Sequence, residues 1–267
     1  MATPFPPPPP PPPPARRANT AAVASLVVLA VVGVALALVL VRTSGDDDGG
    51  ATQSPSTTPP RSSTSTTRTA TTIASTAKTA PVYGTTECPP AGGTAEIKRS
   101  FTAPFRQCID VAKKYTAVVT TNKGELTIQL DPIGAPLTVN NFVSLARSRY
   151  YDATQCHRII PAFVVQCGDP TGVGTGGPGY KFVDELPRSG QYKIGSVAMA
   201  NSGPGTNGSQ FFIITGNDGV VLPPSYTLFG QVTAGMDTTL KALNSAGTAS
   251  GTPIEVITIT SVRITEA

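Results

Sequence analysis

The chain carries, at residues 157–169, the segment HRIIPAFVVQCGD, in which two apolar, β-branched runs lie on either side of a central Pro-Ala pair. Runs of this kind predict short strands, which we place at residues 154–160 and 163–168. Arg158 lies on the first strand and Gln166 on the second. The segment therefore predicts a tight hairpin that presents an arginine and a glutamine from neighbouring strands.

A second segment, MANSGPGTNGSQFFI at residues 199–213, joins a Gly-rich stretch to a strand-like end. Further short strands lie on both sides of it, and two amphipathic patterns predict helices. Many short strands with only two helices predict a closed all-β barrel whose ends the helices cap. The remaining predicted strands lie near 115–121, 125–130, 194–200, 210–215, 226–232 and 254–264, and the predicted helices lie near 136–146 and 236–244.

Together with GTGG at residues 174–177 and YTLFG at 226–230, these segments closely resemble the signature segments of the cyclophilin family. The resemblance covers residues 114–267. It implies a closed eight-stranded antiparallel barrel capped by two helices, with the substrate groove on the outside. It also implies a peptidyl-prolyl cis/trans isomerase, which binds proline-containing segments of proteins and needs no cofactor and no metal. The positions of Cys156 and Cys167 look most like the actinobacterial membrane-anchored, cyclophilin B-like members.

Arg158 matches the position of the family's catalytic arginine, and its chemistry suits that role. Rotation about an X-Pro bond meets a barrier of about 18–20 kcal/mol, because resonance gives the C–N bond partial double-bond character. In the twisted state the proline nitrogen regains a lone pair. A donor beside it lowers the barrier only if it binds the twisted state more strongly than the planar ones. A guanidinium stays charged and presents a rigid fork of N–H donors.

The resemblance also assigns the residues that bind substrate. Apolar side chains would enclose the proline ring, and amide or main-chain groups would hold the flanking peptide without adding charge. Alternation along a strand sends Phe211 and Phe212 to opposite faces, with Phe211 in the core. Phe229 fits either role, packing in the core or contact with the proline ring. The residues assigned to substrate binding are Phe163, Gln166, Ala200, Asn201, Gln210, Phe212, Leu222 and Tyr226.

The chain departs from the family pattern near the groove. It contains no tryptophan, whereas animal cyclophilins usually carry one before the Phe-Gly motif, where this chain has VLPP at residues 221–224. Tyr226 occupies a position where a groove histidine is common. Because an indole supplies both a hydrogen-bond donor and contact area, its absence predicts weak cyclosporin binding. His157 should point away from Arg158, to the opposite strand face, which predicts a packed structural role.

The four cysteines form no C-x-x-C pair, and with a single histidine they predict no metal site. An even count outside the cytoplasm indicates two disulfides, for which three connectivities are open. Local pairing favours Cys88–Cys108, which would hold an extension at residues 83–113, and Cys156–Cys167, which would flank the predicted hairpin. Four buried free thiols are the alternative if the chain faces a reducing compartment.

Residues 21–41 form an apolar run long enough for the roughly 30 Å hydrocarbon core of a bilayer. Arg16 and Arg17 precede the run, and an acidic cluster follows Arg42. This charge bias predicts a single-pass protein of the cell membrane with a cytoplasmic N-terminus and an extracytoplasmic domain. A cleaved signal peptide is the alternative, although the run is longer than the usual apolar region of such peptides.

Low-complexity sequence lies on both sides of this run. Residues 1–20 form a Pro-rich cytoplasmic tail in which Pro6–Pro14 predicts a polyproline II rod, either a ligand for an aromatic groove or a stiff tail without a reader. Residues 42–82 form a Ser/Thr/Pro-rich linker. It predicts disorder because it has too little apolar surface to offset the entropy of ordering it.

The net charge of +4 comes from scattered basic residues without interleaved aromatics, so nucleic-acid binding is not expected. Three hypotheses remain. The first is an isomerase that assists the folding of exported or envelope proteins. The second is a non-catalytic chaperone that binds proline peptides in the same groove, and the third is a surface scaffold with the linker as its stalk. The presence of Arg158, Phe163 and Gln166 favours the first.

Overall fold

The computed structural model describes residues 80–267 of the chain. The predicted tail 1–20, the predicted transmembrane helix 21–41 and nearly all of the predicted linker 42–82 therefore lie outside the described residues. Between Ala80 and Ala267, no helix combines the length and the apolarity that crossing a bilayer requires.

The part of the chain that the structure describes has nine strands, and each pairs antiparallel with its neighbours in one sheet. The strands are β1 (Tyr115–Thr121), β2 (Gly124–Leu130), β3 (Thr154–Gln155), β4 (Arg158–Ile160), β5 (Val164–Cys167), β6 (Ser196–Met199), β7 (Phe211–Ile214), β8 (Leu228–Ala234) and β9 (Thr258–Glu266). The helices are α1 (Pro136–Arg147), α2 (Asn217–Val220) and α3 (Lys241–Ser245), and a π-helical turn, Met236–Leu240, leads into α3.

The sheet has nine strands where the sequence predicted eight, because the predicted strand 154–160 is divided. β3 pairs with β9, whereas β4 pairs with β5, so the chain changes partner across Cys156 and His157. The strand order is β3-β9-β1-β2-β8-β6-β7-β5-β4. The two strands at the ends of this order are thus consecutive in the chain.

The helices agree with the prediction in part. α1 begins at the predicted Pro136, and no side chain of its own caps it. Instead, the carboxylate of Glu185 accepts hydrogen bonds from the N–H groups of Leu137 and Thr138, at 3.0 and 2.9 Å. Such N–H groups in the first turn of a helix have no partner within the helix. The second predicted helix, 236–244, is the π-helical turn followed by α3. α2 was not predicted, since four residues are too few to show an apolar period.

Phe142 of α1 lies in the larger of two clusters of buried apolar side chains, here called the main core, among other aromatic rings. Its ring centroid is 5.1 Å from that of Tyr151, 5.5 Å from that of Phe211 and 5.3 Å from that of Phe229. Aromatic pairs at such separations stabilise the fold beyond their apolar burial. Phe211 fills the core as predicted, and Phe229, whose sequence fitted either role, is buried there as well.

The extension, residues 83–113, packs against the sheet. Its Phe101, Phe105 and Ile109 are buried in the main core. The Cys88–Cys108 bridge closes the extension on itself. The extension is therefore part of the same folded unit as the strands.

Both predicted disulfides are present, and none of the four cysteines is free. Cys156 lies in the break between β3 and β4, and Cys167 is the last residue of β5. The loop that they close contains β4 and most of β5. This bridge therefore fastens the two strands that carry Arg158 and Gln166.

Removing the Cys156–Cys167 bridge should lower stability. We expect the double variant Cys156→Ala/Cys167→Ala to lose about 2–4 kcal/mol of unfolding free energy, because its unfolded chain regains conformations that the bridge excludes. Urea denaturation followed by circular dichroism measures the difference. Wild-type protein in reductant should shift in the same direction, and an unchanged midpoint in both experiments would contradict the prediction.

Candidate active site

Neighbouring strands place one side chain each in a row across the sheet, here called the active-site row. Arg158 in β4 lies opposite Gln166 in β5. Gln166 in turn lies opposite Phe212 in β7, and Phe212 lies opposite Ala198 in β6. Side chains opposite each other project from the same face of a sheet. Because the alternate residue Ile159 is buried in the main core, the row projects from the outer face.

Arg158 is half-buried at one end of this row. Its guanidinium carbon lies 5.6 Å from the centre of the Phe163 ring, within the range of a cation–π contact. Burial lowers the pKa of Arg158, and the nearby Tyr226 opposes this shift. None of the ion pairs formed by residues 80–267 includes Arg158. Its charge is therefore not neutralised by a carboxylate at hydrogen-bond distance.

An apolar patch, which we call the hollow, lies beside Arg158 on the outer face. Its floor is a cluster of buried side chains separate from the main core, and partly buried apolar side chains surround it. The Phe212 ring packs edge-on against Tyr226, with centroids 5.4 Å apart. The floor consists of Val164, Tyr192, Ala198, Phe212 and Ile214, and the surrounding residues include Phe163, Ala200, Leu222 and Tyr226. The structure thus brings the predicted apolar residues together, with Phe212 among the buried members of the cluster and Phe163, Leu222 and Tyr226 packed against it.

Hydrogen bonds run from Arg158 through two glutamine side chains to a Gly-rich loop. Nη1 of Arg158 donates to Oε1 of Gln166 at 3.4 Å, and Nε2 of Gln166 donates to Oε1 of Gln210 at 3.0 Å. Nε2 of Gln210 donates to the main-chain oxygens of Gly174 and Gly176, at 3.0 and 2.9 Å. The orientation of both amides is therefore fixed by their neighbours, and Gln166 uses only one of its two N–H groups in doing so.

A buried carboxylate, Asp169, organises the loop that receives Gln210. It accepts hydrogen bonds from the N–H and hydroxyl of Thr171 and from the N–H groups of Gly174 and Gly176. Burial raises the pKa of Asp169, but these hydrogen bonds outweigh it and hold the pKa below its usual value. The sequence reasoning missed Asp169, although the glycines that follow it at close spacing were the available signal.

Asn201 fixes the turn that follows Ala200. Its Nδ2 donates to the main-chain oxygen of Ser225 at 3.0 Å, and its Oδ1 accepts from the N–H of Gly203 at 3.2 Å. The N–H of Ala200 donates to the main-chain oxygen of Gln210 at 3.0 Å. Ala200 packs against the cluster of the hollow and Asn201 follows it in the chain, so both lie near the place where the sequence predicted contacts to a substrate backbone.

A cavity of about 580 Å³, here called the side cavity, adjoins the hollow. One side is lined by Gln166, Ala200, Asn201 and Gln210, and another by Gly177–Lys181, which we call the wall. Ala200 belongs both to the rim of the hollow and to the lining of the side cavity, so the two adjoin at this residue. Neither the side cavity nor the wall was predicted, because no local pattern reports which loops meet in space.

His157 packs beneath the Gly-rich loop, as a structural role predicts. A Cβ placed on Gly174 would lie only 3.4 Å from Cδ2 of the His157 ring. Nδ1 of His157 is buried without a hydrogen-bond partner. Burial lowers the pKa of His157, although the Asp169 carboxylate opposes the shift. The imidazole is therefore neutral at pH 7. Within residues 80–267, no group of His, Cys, Asp and Glu side chains is placed to hold a metal ion.

A family model described as cyclophilin type peptidyl-prolyl cis-trans isomerase/CLD matches residues 116–264. The chain belongs to the cyclophilin family. The matched span contains the active-site row, the hollow and the side cavity. The extension precedes it, so the family model does not account for residues 83–113.

Two curated relatives come from actinobacteria. The "Probable peptidyl-prolyl cis-trans isomerase B" of Mycobacterium tuberculosis is 43% identical over 161 residues, which cover 53% of this chain and 52% of that protein. The "Peptidyl-prolyl cis-trans isomerase B" of Streptomyces anulatus is 46% identical over 138 residues, 46% of this chain and 78% of that one. The chain thus spans about half the length of the mycobacterial relative.

Solved structures resemble the folded part of the chain. A cyclophilin type peptidyl-prolyl cis-trans isomerase of Cryptosporidium parvum, crystallised in the presence of the dipeptide Ala-Pro, has a TM-score of 0.53 and 35% identity. The alignment covers 56% of this chain and 98% of that structure. A likeness that covers nearly all of the cyclophilin places the fold of this chain, mostly β with few helices, in the same family.

The neutral, half-buried His157 predicts a pH dependence of stability. Since its folded-state pKa lies below its usual value of 6.5, the unfolded state binds more protons in the window just below that value. Stability should therefore decrease as the pH falls from 7 towards 5. Thermal unfolding at pH 7 and pH 5 measures this change.

The variant His157→Gln is the matched control, because it removes the titrating group. It should lose most of the difference between pH 7 and pH 5. The low pKa of Asp169 acts in a different window, near and below its ordinary value of 3.8, so it does not obscure the comparison. Equal pH dependence in the wild type and the variant would contradict the prediction.

Proposed function

We propose that this chain is a peptidyl-prolyl cis/trans isomerase that accelerates rotation about X-Pro bonds in polypeptides. The observation that carries the proposal is the position of Arg158, whose guanidinium lies against the Phe163 ring at the edge of the apolar hollow. Membership of the cyclophilin family supports the same activity, as do the names of the relatives.

The hollow suits a proline ring. Proline is apolar and has no N–H, so its ring can lie among Phe163, Phe212 and Leu222 without leaving a donor unpaired. We further infer that the sheet closes into a barrel, since its end strands β3 and β4 are consecutive in the chain. A filled interior then leaves the outer face, where the hollow lies, as the place for substrate.

Arg158 supplies the donor that the twisted amide needs. In the planar amide the nitrogen lone pair is delocalised and accepts hydrogen bonds poorly, whereas in the twisted state it is localised on the nitrogen. An N–H of Arg158 directed at that nitrogen therefore binds the transition state better than either planar isomer, which is the condition for catalysis. Although burial lowers the pKa of Arg158, the ordinary pKa of a guanidinium lies so far above neutral that the group stays charged at pH 7.

The amides hold the polypeptide on either side of the proline. Gln166 and Gln210 are oriented in advance by their mutual hydrogen bond and by the Gly-rich loop. A binding group that is already in place loses less entropy when substrate arrives. The peptide is thus held on both sides of the bond that turns, while the bond itself remains free to rotate.

Weak cyclosporin binding stays a prediction. Leu222 packs against the cluster of the hollow, in the segment where animal members of the family have an indole. The neighbouring Val221 is 80% exposed, so it covers little of the apolar surface that an indole would cover.

Substitution of Arg158 tests the proposal. We expect Arg158→Ala to lower kcat/KM for a proline peptide about 10²–10³-fold, as when one preorganised donor is removed from an electrostatic site. Arg158→Lys should recover only part of this loss, because an ammonium keeps the charge but not the planar fork. A protease-coupled assay of the peptide's cis-to-trans conversion, on the purified full-length chain, measures both.

Arg263→Ala is the control, since Arg263 is an exposed arginine in β9, away from the active-site row. It should leave kcat/KM unchanged. If Arg158→Ala keeps the wild-type rate, or if the wild type shows no rate above background, the isomerase proposal fails. Peptide binding without turnover would then favour the non-catalytic chaperone.

We also propose that the domain works outside the cytoplasm, tethered through residues 21–41, on exported or envelope proteins. The apolar run supports a tether, and two disulfides in the folded part suit an oxidising compartment. Protease added to spheroplasts should therefore remove the domain while a cytoplasmic marker protein survives. Protection of the domain until the membrane is lysed would overturn this assignment.

A further inference from the structure

The wall of the side cavity has little support of its own. Gly177–Lys181 belongs to none of the strands or helices of the described chain, and the nearest ladder contact is the single bridge between Phe182 and Asn207. A segment without a ladder is positioned by whatever packs behind it. The shape of the side cavity therefore depends on the groups behind the wall.

The extension lies directly behind the wall. The N–H of Phe101 donates to the main-chain oxygen of Pro178 at 2.8 Å. Gly179 has φ +99°, and a Cβ there would lie 2.4 Å from the main-chain oxygen of Phe101, so only glycine allows this approach. The Phe105 ring meets that of Tyr180 edge-on, with centroids 6.4 Å apart. The wall is thus held in contact with the extension by a hydrogen bond, by close main-chain approach and by aromatic packing.

Two adjacent residues of α1 complete the connection. Asn140 hydrogen-bonds to the extension. Its Oδ1 accepts from the N–H of Cys108 at 2.6 Å, and its Nδ2 donates to the main-chain oxygen of Arg106 at 2.9 Å. Asn141 hydrogen-bonds to two residues that line the side cavity. Its Oδ1 accepts from the Tyr180 hydroxyl at 2.6 Å, and its Nδ2 donates to the main-chain oxygen of Gly208 at 2.9 Å. Both asparagines are buried, so the extension, α1 and the cavity lining are joined rigidly.

We propose that the extension, residues 83–113, is a specificity element: it fixes the wall and so sets the size of the side chain beside proline that the side cavity accepts. This inference rests on the proposed isomerase function, because the hollow and the side cavity adjoin at Ala200, a residue assigned to substrate binding. The ligand class is a polypeptide whose proline sits in the hollow and whose neighbouring side chain enters the cavity. Phe101 is a positioning residue, since it acts on substrate through the wall.

The test compares peptides that differ only in the size of the residue beside proline, from glycine to phenylalanine. Phe101→Ala in the full-length chain removes the ring that packs behind the wall, with its centroid 4.8 Å from that of Phe105. The ratio of kcat/KM for the bulky peptide to that for the small one should rise about tenfold, because a pocket discriminates by about this factor when one methylene or more is fitted or removed. The double variant Cys88→Ala/Cys108→Ala, which touches neither cavity nor hollow, should shift the ratio in the same direction.

Val119→Ala is the matched control for lost stability. Val119 is buried in β1, which pairs with β2 and β9 and not with the wall. It should lower the melting temperature while leaving the ratio between peptides unchanged. Phe101→Ala and the cysteine variant could instead change kcat/KM for every peptide by one common factor, or leave it unchanged for all of them. In either case the extension is only a stabilising element and the inference is overturned.

Failure of the isomerase proposal gives a different result. In that case the wild type shows no turnover that depends on Arg158, and the same peptide series is measured as dissociation constants by calorimetry. A tenfold shift in the ratio of dissociation constants still supports the extension as a specificity element, and a constant ratio overturns it. If Phe101→Ala does not fold, Phe101→Leu and the cysteine variant decide the question.

Discussion

The antiparallel register of β4, β5 and β7 is the constraint on which the site depends. It sets Arg158 opposite Gln166, and Gln166 opposite Phe212, on the outer face of the sheet. Because side chains alternate along a strand, a slip of one residue in β5 would move Gln166 to the core face and expose Val165 instead. The inward-facing apolar residues oppose such a slip, since it would remove them from the main core. Core packing on one face of the sheet thus fixes the positions of the active-site row on the other face.

The electrostatic character of the site follows from what surrounds that row. Arg158 is partly buried against an aromatic ring and has no carboxylate partner among the ion pairs of residues 80–267. The carboxylate of Asp169 organises the loop that receives Gln210, and its oxygens accept hydrogen bonds within that loop. A guanidinium neutralised by a carboxylate would hydrogen-bond that group in every state of the substrate. Apart from the Nη1 bond to Gln166, the N–H groups of Arg158 remain available, and the proposed role requires this of a donor to an acceptor that exists only while the peptide bond is twisted.

Sequence reasoning predicted what depends on local pattern and on strong motifs. The hairpin β1–β2, the start of α1, the pairing of the cysteines and the opposite faces of Phe211 and Phe212 all follow from spacing along the chain. The split of strand 154–160 did not, because it arises from a change of partner between β9 and β5. The wall was missed for the same kind of reason, because its importance comes from contacts with segments that are distant in the chain. The hydrogen bonds of Asp169 are local, but the glycine spacing that follows it reports only that the backbone turns sharply, not which side chain organises the turn.

The buried position of the Cys156–Cys167 bridge imposes an order on biosynthesis. Its two sulfur-bearing residues are 2% and 3% exposed, so an oxidant reaches them only before the hairpin is covered by its neighbours. A nascent chain that packs its core first would trap two thiols inside it. We therefore expect formation of this bridge to accompany the earliest docking of β4 and β5, before core packing covers the two sulfurs.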